Sequence, residues 1–451
     1  MACVISATSS HSGKTLLSLL LISWLKSINK TVQTFKAGPD YLDPQQLSAV
    51  SNNACRNLDL ILSGEKWVKE SFNHFGGLTD FSLIEGVMGL FDGIGSTSKG
   101  STAELAKVLS LPIVLIVDAR GKAASLAALI KGFKEHDKEI KIAGIVLNNV
   151  QSTRHEKILL EVLNQINIKS LGCLPRCEEL YLSSRHLGLA PIHEVQDLDI
   201  KVRKWASIAK KHLDIQSFMQ LLLPPKSKDK TNIYLTNKEA GLIHPIAIAE
   251  DEAFHFRYQE TKELLEKNGM PTISWKPLEN KKIPSEAKGL IIPGGFPEQH
   301  AKQLSNSKTS LESIKLFANK FPIYAECGGM MLLGKSIFDI EGKEYSMTGI
   351  LPFKAKKGDL KIGYREVISK NKSPITDIRN KLIGHEFHRW EIINEEYNSK
   401  INPIWDIKGW NIEIKNEGFC NHLIHASWIH LHWASSPKIL DNWKRSVISC
   451  S

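Results

Sequence analysis

The stretch Tyr324-Ala325-Glu326-Cys327-Gly328-Gly329-Met330 contains the strongest chemical signal in this chain of 451 residues. The apolar residues before it predict a short buried strand, and Met330-Met331-Leu332-Leu333 predicts the start of a helix. A strand, a tight glycine turn and a helix with one polar side chain at the bend form a nucleophile elbow, which exposes the nucleophile. Cys327 is therefore predicted to be a nucleophile; the alternative is a small, buried hydrophobic cysteine.

The neighbours of Cys327 favour the catalytic interpretation. The N-terminus of the predicted helix is expected to lower the pKa of the thiol and so to favour the thiolate. The backbone N–H groups of Gly328 and Gly329 are placed to hold a developing oxyanion. A histidine-rich segment at 422–432 supplies a candidate base for the thiol proton.

Composition narrows the class of protein. A hydrophobic content of 42% is ordinary for a globular protein, and the length predicts two or three domains. The net charge of +10 suits a polyanionic partner, but the basic residues are spread along the chain without an aromatic-interleaved basic stretch. An acidic small molecule is therefore favoured over nucleic acid.

The cysteines and the apolar runs predict where the protein works. Seven scattered cysteines indicate a reducing cytoplasm instead of a disulfide framework. Residues 1–6 lack the charged start of a signal peptide. The most apolar run, 16–25, is short and interrupted by serine, so it predicts a buried helix and no membrane span. We expect a cytoplasmic protein.

The first domain, predicted at 1–222, begins with a strand, a phosphate loop and a helix. In the loop Ser12-Gly13-Lys14-Thr15, the backbone N–H groups and the helix N-terminus are expected to bind phosphate oxygens. Lys14 would reach the β- and γ-phosphates of ATP, and the Thr15 hydroxyl would ligate Mg²⁺. Thr8 occupies a position where the strict motif has glycine, so the motif alone is compatible with a chance Gly-Lys-Thr at a helix start.

Charged side chains end the next predicted strands. Lys36 closes one strand and is followed by a glycine-proline loop that contains Asp40 and Asp43, and Glu85 closes another strand. Parallel strands bring such ends to one edge of a sheet, where ligands bind. Two carboxylates beside a lysine suit Mg²⁺ and an anionic substrate, and the alternative is an ordinary acidic turn.

Two further apolar runs, 111–118 and 142–149, predict strands that are buried on both faces. Helical segments lie between the predicted strands, so we expect an α/β fold with a doubly wound, mostly parallel sheet. Asn148 ends one of these strands and is a candidate for binding the nucleotide, with a capping role as the alternative.

Five stretches, in this order, resemble cobyrinic acid a,c-diamide synthases. They are the loop ending in Lys14-Thr15, residues 36–44, residues 85–93, Arg185-His186-Leu187-Gly188-Leu189, and Ala325-Glu326-Cys327-Gly328-Gly329. The resemblance runs nearly end to end. It implies a first domain like dethiobiotin synthetase and a second like a class I glutamine amidotransferase. That family departs from the usual glycine spacing, as at Thr8, but His11 stands where it usually has another glycine.

The resemblance also implies roles in the second domain, predicted at 243–451 after a proline-rich, charged linker at 223–242. Gly294 and Gly295 would form the oxyanion site together with Gly328, and His430 would be the base for Cys327. Class I amidotransferases have a glutamate two residues after that histidine, whereas this chain has His432. The relatives that amidate corrinoids commonly lack the glutamate too, which leaves open what orients His430.

The implied activity is the ATP-dependent amidation of the a and c carboxylates of cobyrinic acid, with glutamine or ammonia as the nitrogen donor. Cys327 and His430 would release ammonia from glutamine, and Lys36 would offset charge on the phosphoryl group that activates the carboxylate. The remaining implied sites are ATP-binding Ser12, Gly13, Lys14, Thr15 and Asn148; Mg²⁺-binding Thr15, Asp43 and Glu85; and substrate-binding Asp40, Tyr41, Leu42 and Asp92.

Two alternatives stay open at this point. One keeps the chemistry and changes the macrocycle to hydrogenobyrinic acid or a nickel sirohydrochlorin. The other is a P-loop regulatory ATPase with an inactive amidotransferase-like domain, and the presence of both Cys327 and His430 argues against it. We expect a small-molecule corrinoid as partner, no nucleic acid and no membrane; a homodimer stays open.

Overall fold

A computed structural model describes residues 2–177, 180, 184–185, 188–189, 197–226, 244–393 and 401–450. The chain divides into two compact units, Met1–Ile233 and Tyr234–Ser451. Most of the predicted linker, 227–242, lies outside the described residues, as do His186 and Leu187 of the fourth family-like stretch.

The first unit is built on a seven-stranded sheet in which every neighbouring pair of strands is parallel. Its strands are β1 (Cys3–Ala7), β2 (Val32–Ala37), β3 (Arg56–Leu58), β4 (Phe81–Glu85), β5 (Ile113–Asp118), β6 (Ile142–Val150) and β7 (Ser170–Pro175). Their order is β3-β2-β4-β1-β5-β6-β7. A short antiparallel hairpin follows, β8 (Ser184–Arg185) and β9 (Gly188–Leu189). The predicted doubly wound parallel sheet is confirmed.

Helices connect these strands. They are α1 (Lys14–Ser27), α2 (Asp43–Ser51), α3 (Gly64–Gly76), α4 (Thr102–Val108), α5 (Ser125–His136), α6 (Thr153–Gln165), α7 (Leu198–His212) and α8 (Ile215–Leu221). Helix α1 is buried along almost its whole length, and its leucines join the core formed by β1, β4 and α7. It begins two residues before the predicted start because Gly13 precedes it with a φ of 111°, which ends the phosphate loop.

The second unit contains a six-stranded sheet in the order β11-β10-β12-β13-β21-β20, parallel except for the β20–β21 pair. The strands of this unit are β10 (Ile246–Ala249), β11 (Thr272–Trp275), β12 (Gly289–Ile292), β13 (Ile323–Glu326), β14 (Ser336–Phe338), β15 (Glu344–Ser346), β16 (Lys354–Ser369), β17 (Lys381–Ile393), β18 (Trp405–Gly409), β19 (Ile412–Glu417), β20 (Phe419–Cys420), β21 (Ile424–Ser427) and β22 (Ile429–His430). Its helices are α9 (Gln259–Lys267), α10 (Ala301–Asn306), α11 (Lys308–Phe317), α12 (Gly328–Leu333) and α13 (Pro437–Ser449).

A second, mostly antiparallel sheet, β15-β14-β16-β17-β22 with β18 and β19, was not among the predicted elements. Its longest strand, β16, is rich in lysine and glycine and many of its residues are exposed or half-buried. Such a strand has no continuous apolar run, so the pattern that reveals a buried parallel strand is missing. Across the described ranges, every helix is too short or too polar to cross a membrane.

Candidate functional sites

The phosphate loop connects β1 to α1 and is closed by contacts with β6. Asn148 at the end of β6 donates a hydrogen bond from its Nδ2 to the backbone oxygen of Ser12 at 2.9 Å. A Cβ atom on Gly13 would lie 2.4 Å from that Nδ2, so only glycine fits there in this backbone conformation. Lys14 donates to the backbone oxygen of Met88 at 2.5 Å. The structure thus brings together Gly13, Lys14 and Asn148, three of the predicted ATP-binding residues.

Lys36 is the centre of a buried cluster of charges. Its Nζ lies 2.5 Å from Asp43 Oδ2, 2.8 Å from Glu85 Oε1 and 3.8 Å from Asp40 Oδ2. Glu85 Oε1 also accepts a hydrogen bond from the Thr15 hydroxyl at 2.7 Å, which joins the cluster to the phosphate loop. Predicted residues from β2, β4 and α1 therefore meet at the carboxyl edge of the sheet, as expected for parallel strands.

The cluster shifts the pKa values of its members in opposite directions. Burial by itself disfavours the Lys36 cation, but the attraction of Asp43 and Glu85 outweighs it and raises the lysine pKa above its usual range. Burial raises the pKa of Glu85, and it lowers the pKa of Lys14 to about 8 with help from the charge on Lys36. The two lysines of the site thus differ: Lys36 is locked in its charged form, whereas Lys14 can lose its proton at mildly alkaline pH.

The residues predicted to hold Mg²⁺ fit that ion. Glu85 Oε2 is buried and has no hydrogen-bond partner among the described residues. The Thr15 hydroxyl is hydrogen-bonded to the Glu85 carboxylate. An Asp43 carboxylate oxygen contacts Lys36, the lysine that also contacts Glu85. Mg²⁺ commonly takes one or two carboxylates and completes its shell with waters and phosphate oxygens, so this donor set is of the right chemical type.

The predicted substrate residues occupy the turn between β2 and α2 and the loop after β4. Asp40 Oδ1 accepts the backbone N–H groups of Leu42 and Asp43 at 2.9 and 3.0 Å, so it shapes this turn. The side chains of Tyr41 and Leu42 are buried in it. Asp92 Oδ2 accepts the backbone N–H of Gly89 at 2.8 Å, in the loop that also binds Lys14. All four residues lie in loops beside the charged cluster.

In the second unit, β13 ends at Glu326 and α12 begins at Gly328, with Cys327 at the bend. Cys327 has a φ of 48° and a ψ of −108°, a strained conformation for a residue with a side chain. Its N–H donates to the backbone oxygen of Ser427 at 2.7 Å, and its carbonyl accepts the first helical hydrogen bond from Met331 at 3.1 Å. The predicted strand, turn and helix around the nucleophile are therefore present.

The Cys327 thiol is buried and lies 3.6 Å from the carbonyl oxygen of Phe387 on β17. Burial and the nearby charge of Glu298 raise its pKa, and the N–H of Gly328 lowers it by less. The helix N-terminus thus lowers the thiol pKa as expected, but burial outweighs it, so the expectation that the thiolate is favoured is wrong. A thiol held in its neutral form needs a base to take its proton before it can attack.

The Gly294–Gly295 loop after β12 packs against His430 and against Gly328, the residue after Cys327. A Cβ atom on Gly294 would lie 2.6 Å from Cε1 of His430, and one on Gly328 would lie 3.2 Å from the backbone nitrogen of Gly295. Gly295 has a φ of 155°, and a Cβ there would lie 2.1 Å from the backbone oxygen of Ala253. The three glycines predicted for the oxyanion site thus meet beside the histidine ring, in space that no side chain can share.

His430 is fully buried on β22, directly opposite His385 in the antiparallel pairing with β17. Its Nδ1 lies 3.3 Å from Oε2 of Glu326, the residue before the nucleophile. The pKa of His385 is lowered to about 3, mainly by burial and secondly by the neighbouring His430, so the His385 ring is neutral. Strands β13 and β21 are neighbours, and Glu326 at the end of β13 pairs with Ser427 at the end of β21. Cys327 and His430 therefore follow the carboxyl ends of adjacent strands.

His430 and His432 do not lie on one face of a strand. Strand β22 ends at His430, and His432 instead caps the short 3₁₀ helix Trp433–Ser435. Its Nδ1 lies 2.9 Å from the hydroxyl of Ser435. In the described part of the chain, no group of three or more His, Cys, Asp and Glu side chains is arranged to hold a metal ion.

Sequence reasoning gave no role to several groups near the thiol. The Phe387 carbonyl is a backbone group 60 residues away in sequence, so no side-chain pattern could reveal it. Glu386 is buried, and its oxygens contact Arg365 Nε at 2.6 Å and His388 Nε2 at 2.9 Å. Glu326 stands directly before Cys327 without a predicted role, and the missing glutamate two residues after His430 is the signal that points to it.

Two family models match the chain. The CobQ/CobB/MinD/ParA nucleotide binding domain covers residues 3–189, and the CobB/CobQ-like glutamine amidotransferase domain covers residues 245–438. These matches fall on the unit with the phosphate loop and on the unit with the nucleophile elbow, respectively.

Curated relatives match over nearly the whole length. A cobyrinate a,c-diamide synthase of Caldanaerobacter subterraneus is 39% identical over 95% of this chain and 94% of the relative. One from Synechococcus is 36% identical over 98% of this chain and 97% of the relative. A hydrogenobyrinate a,c-diamide synthase of Mycobacterium bovis is 33% identical over 97% of this chain and 95% of the relative. The chain therefore belongs to the family of cobyrinate and hydrogenobyrinate a,c-diamide synthases.

Proposed function

We propose that this protein is a glutamine-hydrolysing carbon–nitrogen ligase that converts the a and c carboxylates of cobyrinic acid to amides in cobalamin biosynthesis. The observation that carries the proposal is the strained, buried Cys327, whose neighbour Glu326 lies 3.3 Å from the fully buried His430, in a chain that also has a phosphate loop joined to the Lys36 cluster. Family membership supports the same activity.

In the glutaminase reaction, His430 takes the proton of the Cys327 thiol and the sulfur attacks the side-chain amide carbon of glutamine. The N–H groups of the Gly294–Gly295 loop and of Gly328 are proposed to hold the oxyanion. The proton then passes to the leaving nitrogen, which departs as ammonia and leaves a thioester. Water activated by His430 hydrolyses the thioester to glutamate and restores the thiol.

In the ligase reaction, a substrate carboxylate attacks the γ-phosphate of ATP and gives an acyl phosphate and ADP. Lys14 and the loop N–H groups bind the phosphates, and Lys36 offsets charge on the transferring group. Thr15, Asp43 and Glu85 would hold Mg²⁺, which supplies charge neutralisation between the phosphates when it is bound. Ammonia then displaces phosphate from the acyl carbon to form the amide.

We propose cobyrinic acid as the macrocycle because the relatives with the higher identities carry that name, and hydrogenobyrinic acid is the second candidate. We also propose domain boundaries at 1–222 and 243–451 around the linker. Among the described residues none of the seven cysteines forms a disulfide, which supports the cytoplasm as the working compartment.

The test is mass spectrometry of cobyrinic acid after incubation with the protein, MgATP and glutamine. Two successive replacements of hydroxyl by amino are expected. The Cys327→Ala variant should lose them with glutamine and regain them with ammonium, because only the glutaminase step needs the thiol. Amidation of hydrogenobyrinic acid alone would move the proposal to the second macrocycle. No glutamine hydrolysis and no amidation of either macrocycle would refute it.

A further inference from the structure

We propose that Glu326 is the positioning residue of the glutaminase site and orients His430. It takes the part that a glutamate two residues after the histidine takes in other class I amidotransferases. The inference rests on the proposed function, because it concerns how that function's base is held.

The Glu326 carboxylate lies at ion-pair distance from the imidazole, in a contact that falls short of hydrogen-bond geometry. Oε2 lies 3.3 Å from His430 Nδ1, while Oε1 accepts the backbone N–H of Leu431 at 3.0 Å and the hydroxyl of Tyr324. The histidine side chain is fully buried and that of the glutamate is 10% exposed. The carboxylate is thus fixed by two donors on one oxygen and offers the other oxygen to the ring.

The fold brings this glutamate to the histidine. Glu326 is the last residue of β13 and pairs with Ser427 on β21. After Ser427 the chain leaves this sheet and pairs with β17, where His430 lies opposite His385. Because the chain changes sheet here, His430 lies next to the end of β13, close to Glu326, the residue before Cys327.

His432, at the usual position of the glutamate, makes different contacts. Its Nδ1 lies 2.9 Å from the Ser435 hydroxyl, and its ring packs edge-on against Tyr258 with centroids 5.0 Å apart. These contacts place it in the cap of the following 3₁₀ helix.

Two other buried carboxylates of this unit contact different groups. Glu386 contacts Arg365 and His388. Glu417 accepts the Ser427 hydroxyl and the Trp428 N–H, both at 2.7 Å. Glu326, by contrast, lies in ion-pair contact with His430.

The chemistry explains why the base needs this partner. A carboxylate at Nδ1 keeps the proton on that nitrogen, so that Nε2 is free to accept the thiol proton. When Nε2 takes it, the adjacent carboxylate stabilises the imidazolium. Burial raises the pKa of the Cys327 thiol, so proton transfer to His430 is a demanding step.

The test compares Glu326→Gln with His432→Asn. Gln keeps an oxygen for the Leu431 N–H but removes the charge, so kcat for glutamine hydrolysis should fall by about 10²- to 10⁴-fold with little change in KM. Glu326→Asp, which keeps the charge, should recover part of the loss. His432→Asn, which preserves a helix cap, should stay within about threefold of the wild type.

Amidation with ammonium is the control for the fold, since it does not use His430. It should be unchanged in all three variants. Loss of this activity in Glu326→Gln to the same extent as glutaminase would show that the residue serves the fold, and would overturn the proposal. So would a Glu326→Gln enzyme with wild-type kcat, or a collapse of glutaminase in His432→Asn. A wild-type protein without glutaminase would instead refute the proposed function.

Discussion

The charged cluster around Lys36 and the elbow around Cys327 hold their reactive groups in different ways. In the first site, side chains hold one another: one ammonium lies within 4 Å of three carboxylates, and one of these carboxylates also binds Thr15. In the second site, backbone conformation and close backbone packing hold the groups in place. The nucleophile has a positive φ, and three glycines leave room for the histidine ring and the loop.

This difference fits the chemistry proposed for each site. Phosphoryl transfer is catalysed mainly by positioning and charge stabilisation, so a dense set of charges is suitable. Acyl transfer through a thiol needs a nucleophile and an oxyanion site in exact register, which backbone groups provide. Removal of a charge should therefore damage the first site, and occupation of space should damage the second.

The largest effect is expected for Lys36→Met. The substitution leaves Asp43 and Glu85 buried without their cation and removes the charge proposed to offset that of the phosphoryl group. Amidation should fall by at least about 10³-fold with either glutamine or ammonium, measured as product formed per unit time. Glutaminase activity should be retained.

The matched control is Lys30→Met, which breaks the exposed pair with Asp80 and should change amidation by less than about twofold. Equal loss in the two lysine variants would mean that burial of the Lys36 cluster has no special part in catalysis.

A smaller effect is expected for Gly295→Ala, which should impair glutamine hydrolysis and spare amidation with ammonium. The added methyl would lie 2.1 Å from the Ala253 oxygen, so the oxyanion loop must move. Glutamine hydrolysis should fall by about 10²- to 10³-fold, measured as kcat, while ammonium-dependent amidation stays within twofold.

Gly342→Ala provides the comparison for Gly295→Ala. Gly342 also has a positive φ, at 82°, but a Cβ there meets nothing within 4 Å. It should therefore show only the modest cost of the backbone conformation and no loss of kcat. If both variants lose glutaminase equally, steric room at the oxyanion loop is not what matters.

The smallest effect concerns pH and sharpens the contrast between the two lysines of the first site. Lys14 has a pKa lowered to about 8 by burial and by Lys36, so above pH 8 it is mostly a neutral amine. Binding of ATP then requires uptake of a proton, and KM for MgATP should rise by up to about tenfold per pH unit. Below pH 8 the KM should be flat, because Lys14 is already charged.

Lys14→Arg keeps its charge at every accessible pH. Its KM for MgATP, although higher at neutral pH, should therefore lack the alkaline rise. A wild-type KM that stays constant to pH 9.5, or the same slope in the arginine variant, would contradict the assignment.

Much of the first site could be predicted from sequence because parallel sheets obey a simple rule. Lys36 and Glu85 end separate apolar strands, and the carboxyl ends of parallel strands gather at one edge. The elbow could also be predicted, since a buried strand followed by a polar residue and glycines is typical of a nucleophile elbow. The ionisation of the thiol was predicted wrongly, because burial by distant segments outweighs a helix end.

The sequence by itself indicated the phosphate loop and the nucleophile elbow, because each depends on local backbone form and on apolar periodicity. The two family domains and His430 as the candidate base followed from the resemblance to the family. Only the tertiary structure decided that the Phe387 carbonyl lies over the Cys327 thiol and that Glu326 reaches His430. These contacts join positions 60 and 104 residues apart through a change of sheet and an antiparallel strand with no clear apolar pattern. The pairing of such strands follows from the packing of the whole unit, which no local pattern encodes.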